Sequence, residues 1–186
     1  MNPPLTSEEM GAEDRRFLLD LARATIAARL GDLPLPSPIP DSAVLLETRG
    51  AFVTLKIGGV LRGCIGHVIG VAPLWRAVRD NALAAAFDDP RFPPLTSDEL
   101  RQVRLEISAL TPLCRSSPVE VVVGRHGILI ERGPARGLLL PQVATEYGWD
   151  RETFLDHTCR KAGLEPGCWR RPETTISTFS AEVFGE

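Results

Sequence analysis

Residues 51–66 read AFVTLKIGGVLRGCIG, and the reading of this stretch decides the fold. Val53, Leu55 and Ile57 alternate with Thr54 and Lys56, the period of a strand with one buried face. Gly58-Gly59 supplies a two-residue turn, because both central positions of such a hairpin need positive φ. Residues 60–65 then return as the second strand. An antiparallel hairpin is the starting element.

Downstream of it, Pro73 suits the first turn of a helix that carries Leu74, Val78, Ala82 and Ala85 on one face. Asp88-Asp89-Pro90 stops that helix. Thr96 and Glu99 form a capping box opening a short helical turn, and Val103, Leu105, Ile107 and Ala109 alternate as another strand. Upstream, Thr6 to Glu9 is a second capping box, after which Leu18, Leu21, Thr25 and Ala28 recur at helical spacing. That helix should end near Leu30, with Gly31 as the stop. Residues 33–40, LPLPSPIP, place proline at every second position and predict an extended surface connection.

The second half repeats the grammar. Residues 127–131 predict a strand, 132–136 a Gly/Pro turn, 137–140 a return strand, and Pro141 the start of a helical segment. Asp150 caps a helix bearing Phe154, Leu155, Thr158, Cys159 and Ala162, ended by Gly163. Residues 174–184 predict one final strand. Strand, turn, strand, proline and helix thus occur twice, as in an internally duplicated α+β domain with mostly antiparallel pairing.

The chain has 186 residues, enough for one domain or two closely packed halves. With 21 basic and 24 acidic side chains the net charge is -3, which disfavours general binding to nucleic acid or anionic membranes. A single tyrosine also offers few stacking platforms for bases. All basic residues but Lys56 and Lys161 are arginines, scattered rather than clustered. Residues 1–9 lack a basic and apolar leader and read as a flexible N-terminus, with one domain over 10–186 that divides at most into two subdomains. The longest apolar run, residues 82–87, is far short of a spanning segment. Cys64, Cys114, Cys159 and Cys168 contain no C-x-x-C pair, so free thiols and a cytoplasmic location are expected.

Residues 61–66, LRGCIG, carry the densest chemistry. Gly63 and Gly66 suit positive φ and close backbone approach, so the amides between them suggest an anion-binding nest at a bend. Arg62 lies two residues before Cys64, on the same face of a regular strand, where it would favour the thiolate. The competing expectation is a small buried cysteine beside a tight bend.

LRGCIG is followed by DPRFPPL at residues 89–95, EIS at 106–108 and GLLLPQVA at 137–144. Trp149-Asp150, Phe154-Leu155 and TCRKAGL at 158–164 come next, in one order. Together these motifs resemble the AMMECR domain family, whose prokaryotic members are called AmmeMemoRadiSam system protein A, over roughly residues 10–184. The resemblance implies two related β/α repeats around a single barrel-like, mostly antiparallel sheet. It also implies a component acting with a Memo-like protein and a radical S-adenosylmethionine protein. No settled reaction and no cofactor come with it.

The expected site therefore comprises Arg62, Gly63, Gly66, Arg91 and Gln142 as ligand-binding residues, with Cys64 and Glu106 as the catalytic candidates if the chain is an enzyme acting on an anionic small molecule. Asp89 and Arg91 would pair across Pro90 to order their loop, with Phe92 as its apolar anchor. Glu106 alternates away from Leu105 and Ile107, facing solvent or a cleft. Gln142 follows Pro141 near a helix start, and His126 is a turn residue first. The family pattern usually continues LRGCIGT, whereas His67 stands here. Cys64 with His67, and His157 with Cys159, suggest a Cys2His2 zinc site only weakly, and no metal is expected.

Overall fold

A computed structural model describes residues 10–186, so the capping box at residues 6–9 lies outside the described part. The chain divides into two compact units, one running up to Pro112 and joined by Glu182–Glu186, the other Leu113–Ala181.

In the first unit, helix α1 spans Ala12–Leu30, and its Gly11 amide donates to the Asp14 carboxylate at 3.1 Å. Leu18, Leu21, Ala22 and Ile26 form its buried stripe. The helix stops at Gly31 as the sequence predicts, yet Gly31 keeps φ -91°, and Asp32 takes the left-handed conformation with φ 54°. A short helix α2, Ala43–Leu46, follows the proline-rich stretch.

The central hairpin joins β1, Ala51–Ile57, to β2, Val60–His67. Its turn glycines have φ of 58° and 81°, the positive pair that matches strand twist. Strand β2 runs on past residue 65, so there is no bend between Gly63 and Gly66, and neither has positive φ. Their glycine identity comes from crowding instead. A Cβ on Gly63 would sit 2.1 Å from the Ala85 carbonyl oxygen, and one on Gly66 would sit 2.3 Å from that of Ala51. Pairing slips after Leu55, which faces Gly63 while Lys56 faces Leu61, leaving Arg62 as the extra residue of a β-bulge.

Helix α3, Leu74–Phe87, packs on this hairpin, with Pro73 as its N-cap. Helix α4, Ser97–Leu100, opens with the expected capping box. Strand β3, Val103–Leu110, pairs with β1 in register, and β8, Ala181–Gly185, completes the order β2-β1-β3-β8. Val53, Leu55, Leu105 and Ile107 meet Leu18, Ile26, Val78 and Ala82 in the core.

The second unit holds β4 (Cys114–Arg115), β5 (Gly127–Arg132), β6 (Ala135–Leu139) and β7 (Thr175–Phe179), in the order β4-β7-β5-β6. Helix α5, Pro141–Glu146, and helix α6, Arg151–Lys161, follow the second hairpin. Asp150 caps α6 by accepting the Thr153 amide at 2.8 Å, and Gly163, with φ 74°, lies just past its end. Ile128, Ile130, Phe154, Leu155 and Ile176 form its core. A Cβ on Gly137 would meet the Ala162 nitrogen at 2.3 Å. In each unit, then, the return strand of a hairpin offers a bare glycine backbone to a helix: Gly63 to α3, and Gly137 to the end of α6.

Three further expectations change. The mixed helix–strand class and antiparallel pairing hold, but there are two open four-stranded sheets in place of one barrel-like sheet. The stretch expected as one final strand is two, β7 and β8, which join different sheets on either side of Ser180. Not all cysteines are free: Cys159 and Cys168, with Cα atoms 6.0 Å apart, form a disulfide buried in the second core. The end of α6 and the 3-10 turn Cys168–Arg170 bring them together, a proximity that nine residues of spacing did not announce. Cys64 remains a free thiol. Among the described residues no helix is long and apolar enough to cross a membrane.

Candidate functional site

In the first sheet, Thr54 of β1 faces Cys64 of β2 on one side and Glu106 of β3 on the other. Directly opposed residues share a sheet face, so these three form a row across the face turned away from the apolar core. The Thr54 hydroxyl lies 3.2 Å from the Cys64 Sγ and donates to it. Two strand spacings separate the backbones of Cys64 and Glu106 by roughly 10 Å. Lys56, on the same face, pairs with the Glu106 carboxylate at 2.9 Å. Glu106 does lie on the polar face that its alternation predicts. Its charge is matched by Lys56, and Thr54 stands between it and the thiol, so it is not placed to take a proton from Cys64 directly.

The outer edge of β2 is closed by the loop after α3. The Cys64 amide donates to Asp89 Oδ2 at 2.9 Å, and the Cys64 carbonyl accepts from Arg91 Nη2 at 3.2 Å. Asp89 and Arg91 are joined by two parallel bonds, Nε to Oδ1 at 2.9 Å and Nη2 to Oδ2 at 2.7 Å. Two side chains thus occupy the donor and acceptor that a neighbouring strand would otherwise engage. The anion that the Cys64 amide binds is the chain's own Asp89 carboxylate, which is buried. Arg91 first, and the Cys64 amide next, hold that carboxyl far below the ordinary carboxylate range. The expected pairing across Pro90 is present, and it does more than order its own loop.

Arg62 turns toward the same loop and α4. Its Nε and Nη2 meet the two oxygens of Glu99 at 2.8 and 3.0 Å, and Nη2 also donates to the Pro93 carbonyl at 3.0 Å. The Arg62 side chain is only 11% exposed. Phe92 anchors the cluster, its ring centroid 5.8 Å from the Arg62 guanidinium carbon and 5.6 Å from that of Arg91. The Arg62 fork, followed by the Thr96 amide, lowers the Glu99 carboxyl to about 2. Glu99 therefore serves twice, as capping residue for α4 and as counter-ion for Arg62.

Arg62, Gly63, Cys64, Gly66 and Arg91 all lie at one strand and its cap. Gly63 and Gly66 act through close packing rather than as a nest. Gln142 belongs to the first turn of α5 in the second unit, whereas the other residues of the expected site belong to the first. His126 is a turn residue, its Nδ1 accepting the Val122 amide at 3.2 Å, and burial pushes its pKa down. The four proposed zinc ligands are not assembled. Cys159 is bonded to Cys168, the His157 ring is stacked on Trp149 at 3.9 Å, and His67, three positions from Cys64, falls on the opposite strand face. Among the described residues no cluster of three or more His, Cys, Asp or Glu is placed to hold a metal.

Thr54 and Lys56 are site residues that sequence reasoning passed over. Counting the register back from Gly58-Gly59 pairs Thr54 with Gly63 and Val53 with Cys64, and only the bulge at Arg62 brings Thr54 opposite the thiol. The second role of Glu99 had no local signal.

The fold and this site define a class: α+β proteins of two hairpin-and-helix units, one carrying an edge strand capped by an Asp-Pro-Arg loop. The AMMECR1 family model matches residues 19–184, and the chain belongs to that family. A protein of Methanothermobacter thermautotrophicus is 46% identical over 187 residues, covering 95% of this chain and 96% of the relative. A Pyrococcus furiosus protein is 45% identical over 184 residues, covering 91% and 87%. The crystal structure of an uncharacterized Pyrococcus horikoshii protein superposes with a TM-score of 0.70 at 42% identity, covering 91% of this chain and 90% of that one.

Proposed function

We propose that this AMMECR1-family chain is a binding component that works with a Memo-like protein and a radical S-adenosylmethionine protein, and that it presents the face around Cys64 to a partner or ligand. One observation carries this reading. The polar groups of LRGCIG and DPR are engaged with one another: Arg62 with Glu99, the Cys64 amide with Asp89, and its carbonyl with Arg91. Such mutual engagement makes a rigid, preformed surface, and rigid surfaces bind without a large ordering cost. The row of Cys64, Thr54, Glu106 and Lys56 supplies its polar contacts.

The test is co-expression of the full chain with the Memo-like and radical proteins of the same organism, followed by size-exclusion chromatography. A stoichiometric complex supports the reading. Glu106→Arg, which reverses a half-exposed charge, should weaken that complex about tenfold or more while the thermal midpoint stays within a few degrees. Failure of the wild-type chain to associate with either protein overturns it.

A second reading, an enzyme that uses Cys64 on an anionic small molecule, is favoured by a free, partly accessible thiol 3.2 Å from the Thr54 hydroxyl. It requires Cys64 to be alkylated by iodoacetamide faster than a model thiol. A slower rate removes it.

A further inference from the structure

We propose that the outer edge of β6 is a docking site for an extended, acidic peptide segment of a partner protein, which pairs with it as an added strand. Arg62-Gly63-Cys64 on β2 and Arg136-Gly137-Leu138 on β6 hold the same place in the two units. Each lies in the return strand of a hairpin, and each glycine is bare against a helix. In the first unit the amide and carbonyl of Cys64 point off the edge of the sheet and are taken by Asp89 and Arg91. In the second unit, among the described residues, no side chain does this for Leu138.

The two-residue turn Gly133-Pro134 makes Arg132 and Ala135 a hydrogen-bonded pair, and the bonds alternate from there. Ala135, Gly137 and Leu139 therefore bond to β5, while the N–H and C=O of Arg136 and Leu138 point away from it. Strand β6 ends its sheet, and among the described residues these outward groups have no backbone or side-chain partner. The edge also lacks the usual protection. Its register with β5 runs without a bulge, the strand holds no proline or lysine, and its single charge, Arg136, is matched by Glu131 at 2.7 Å. An edge left open in a chain that closes its counterpart is one for another strand to cover.

A second copy of this chain is too thick for the place. The end of α6 sits directly on β6: a Cβ on Gly137 would lie 2.3 Å from the Ala162 nitrogen and 2.5 Å from the Thr158 carbonyl oxygen. Paired strands lie about 4.8 Å apart, whereas packed helices stay about 8 Å or more apart. Two copies joined edge to edge would drive one α6 into the other, so the occupant is a lone extended segment. Its chemistry follows from the two faces of the strand. On one face it meets the half-buried Leu138 and the stem of Arg136, which suit apolar residues at alternate positions. On the other, Lys161 ends α6, is exposed, and has no carboxylate partner among the described residues. A carboxylate opposite Gly137 faces that cation across bare backbone. This edge shares no residue with the Cys64 face and does not depend on the partner reading.

The test is a ¹⁵N–¹H NMR titration of the full chain with acetyl-Thr-Val-Glu-Val-Thr-amide, whose valines fall opposite Leu138 and Arg136. Saturable shifts should appear at the Arg136 and Leu138 amides, while the Cys64 amide, already engaged by Asp89, stays unmoved. Methylating both valine nitrogens removes the ladder donors and should abolish binding. Methylating the glutamate nitrogen, which points away from β6, should leave affinity within about twofold. Lysine in place of the peptide's glutamate should weaken binding about threefold or more, and Lys161→Glu should remove that preference. Leu138→Pro takes away one outward N–H and no bond to β5, so it should abolish binding in a folded chain; if that variant does not fold, Lys161→Glu and the methylated peptides decide alone. Shifts that stay linear in peptide, undiminished binding after both valines are methylated, or a lysine peptide bound as well as the acidic one would each overturn the proposal. So would a dimer of the chain that Leu138→Pro splits, since the edge would then belong to a second copy.

Discussion

Arg62 is held by both oxygens of Glu99 and by the Pro93 carbonyl in a mostly buried setting, so its contribution is to structure. Arg62→Ala strands the partner carboxylate, and hydrogen bonds to charged groups make that loss roughly 1.5–3 kcal/mol, measurable by urea unfolding. Arg62→Lys should recover only part of it, because an ammonium cannot reproduce the two-pronged contact. Glu99 sets a pH dependence. Its carboxyl sits at about 2 in the fold against an ordinary 4.5, so the pair stabilises fully above the ordinary value and that stabilisation is lost as pH falls through about 2. Glu99→Gln should flatten the thermal midpoint across that window, whereas an unchanged acid limb would refute the assignment. Gly63→Ala is a further residue-scale test. Its Cβ would press on the Ala85 carbonyl, which belongs to rigid helix backbone, and overpacking of this kind costs about 1–3 kcal/mol or more. The roles of Gly63 and Gly66 were legible only as to residue type. Glycine was expected for positive φ, whereas a helix and a strand from elsewhere in the sequence exclude the Cβ.

At the scale of elements, local sequence was an accurate guide. The Gly58-Gly59 hairpin, the Thr96 capping box, the Gly31 stop and the Asp150 cap depend on groups within four residues of one another, so each is readable from a short window. Asp150→Ala should lower the thermal midpoint by a few degrees and increase amide exchange in the first turn of α6, because the Thr153 amide loses its acceptor. Gly59→Ala forces a Cβ into the left-handed region and should cost about 1 kcal/mol without altering the pairing of β1 with β2. The bulge at Arg62 was not legible. Residues 60–67 carry no apolar alternation that an extra residue would interrupt, and only the pairing partner reveals that two residues oppose one. Ser180 is similar: the chain remains extended on both sides, and which sheet receives each part is a property of the sheets.

For the whole molecule, the Cys159–Cys168 bridge is the feature that most changes the expected energetics. It closes a loop of about ten residues, and loop-closure entropy assigns such a link roughly 2.5–3 kcal/mol. The Cys159→Ala, Cys168→Ala double variant should show faster amide exchange at Ile128, Ile130 and Ile176 in the second core. Val53, Leu55 and Ile107 in the first core should keep their protection, and a uniform loss across both units would contradict the division. The amino-acid sequence by itself determined the order of hairpins and helices, their caps and turns, and the family, because those rest on periodicity and on contacts between near neighbours. Tertiary structure alone decided that Asp89 and Arg91 close the edge at Cys64, that Glu99 holds Arg62, that two sheets form rather than one, and that two cysteines join. Each of those depends on groups distant in sequence or on turns that fold them together, and no local pattern encodes where the chain returns.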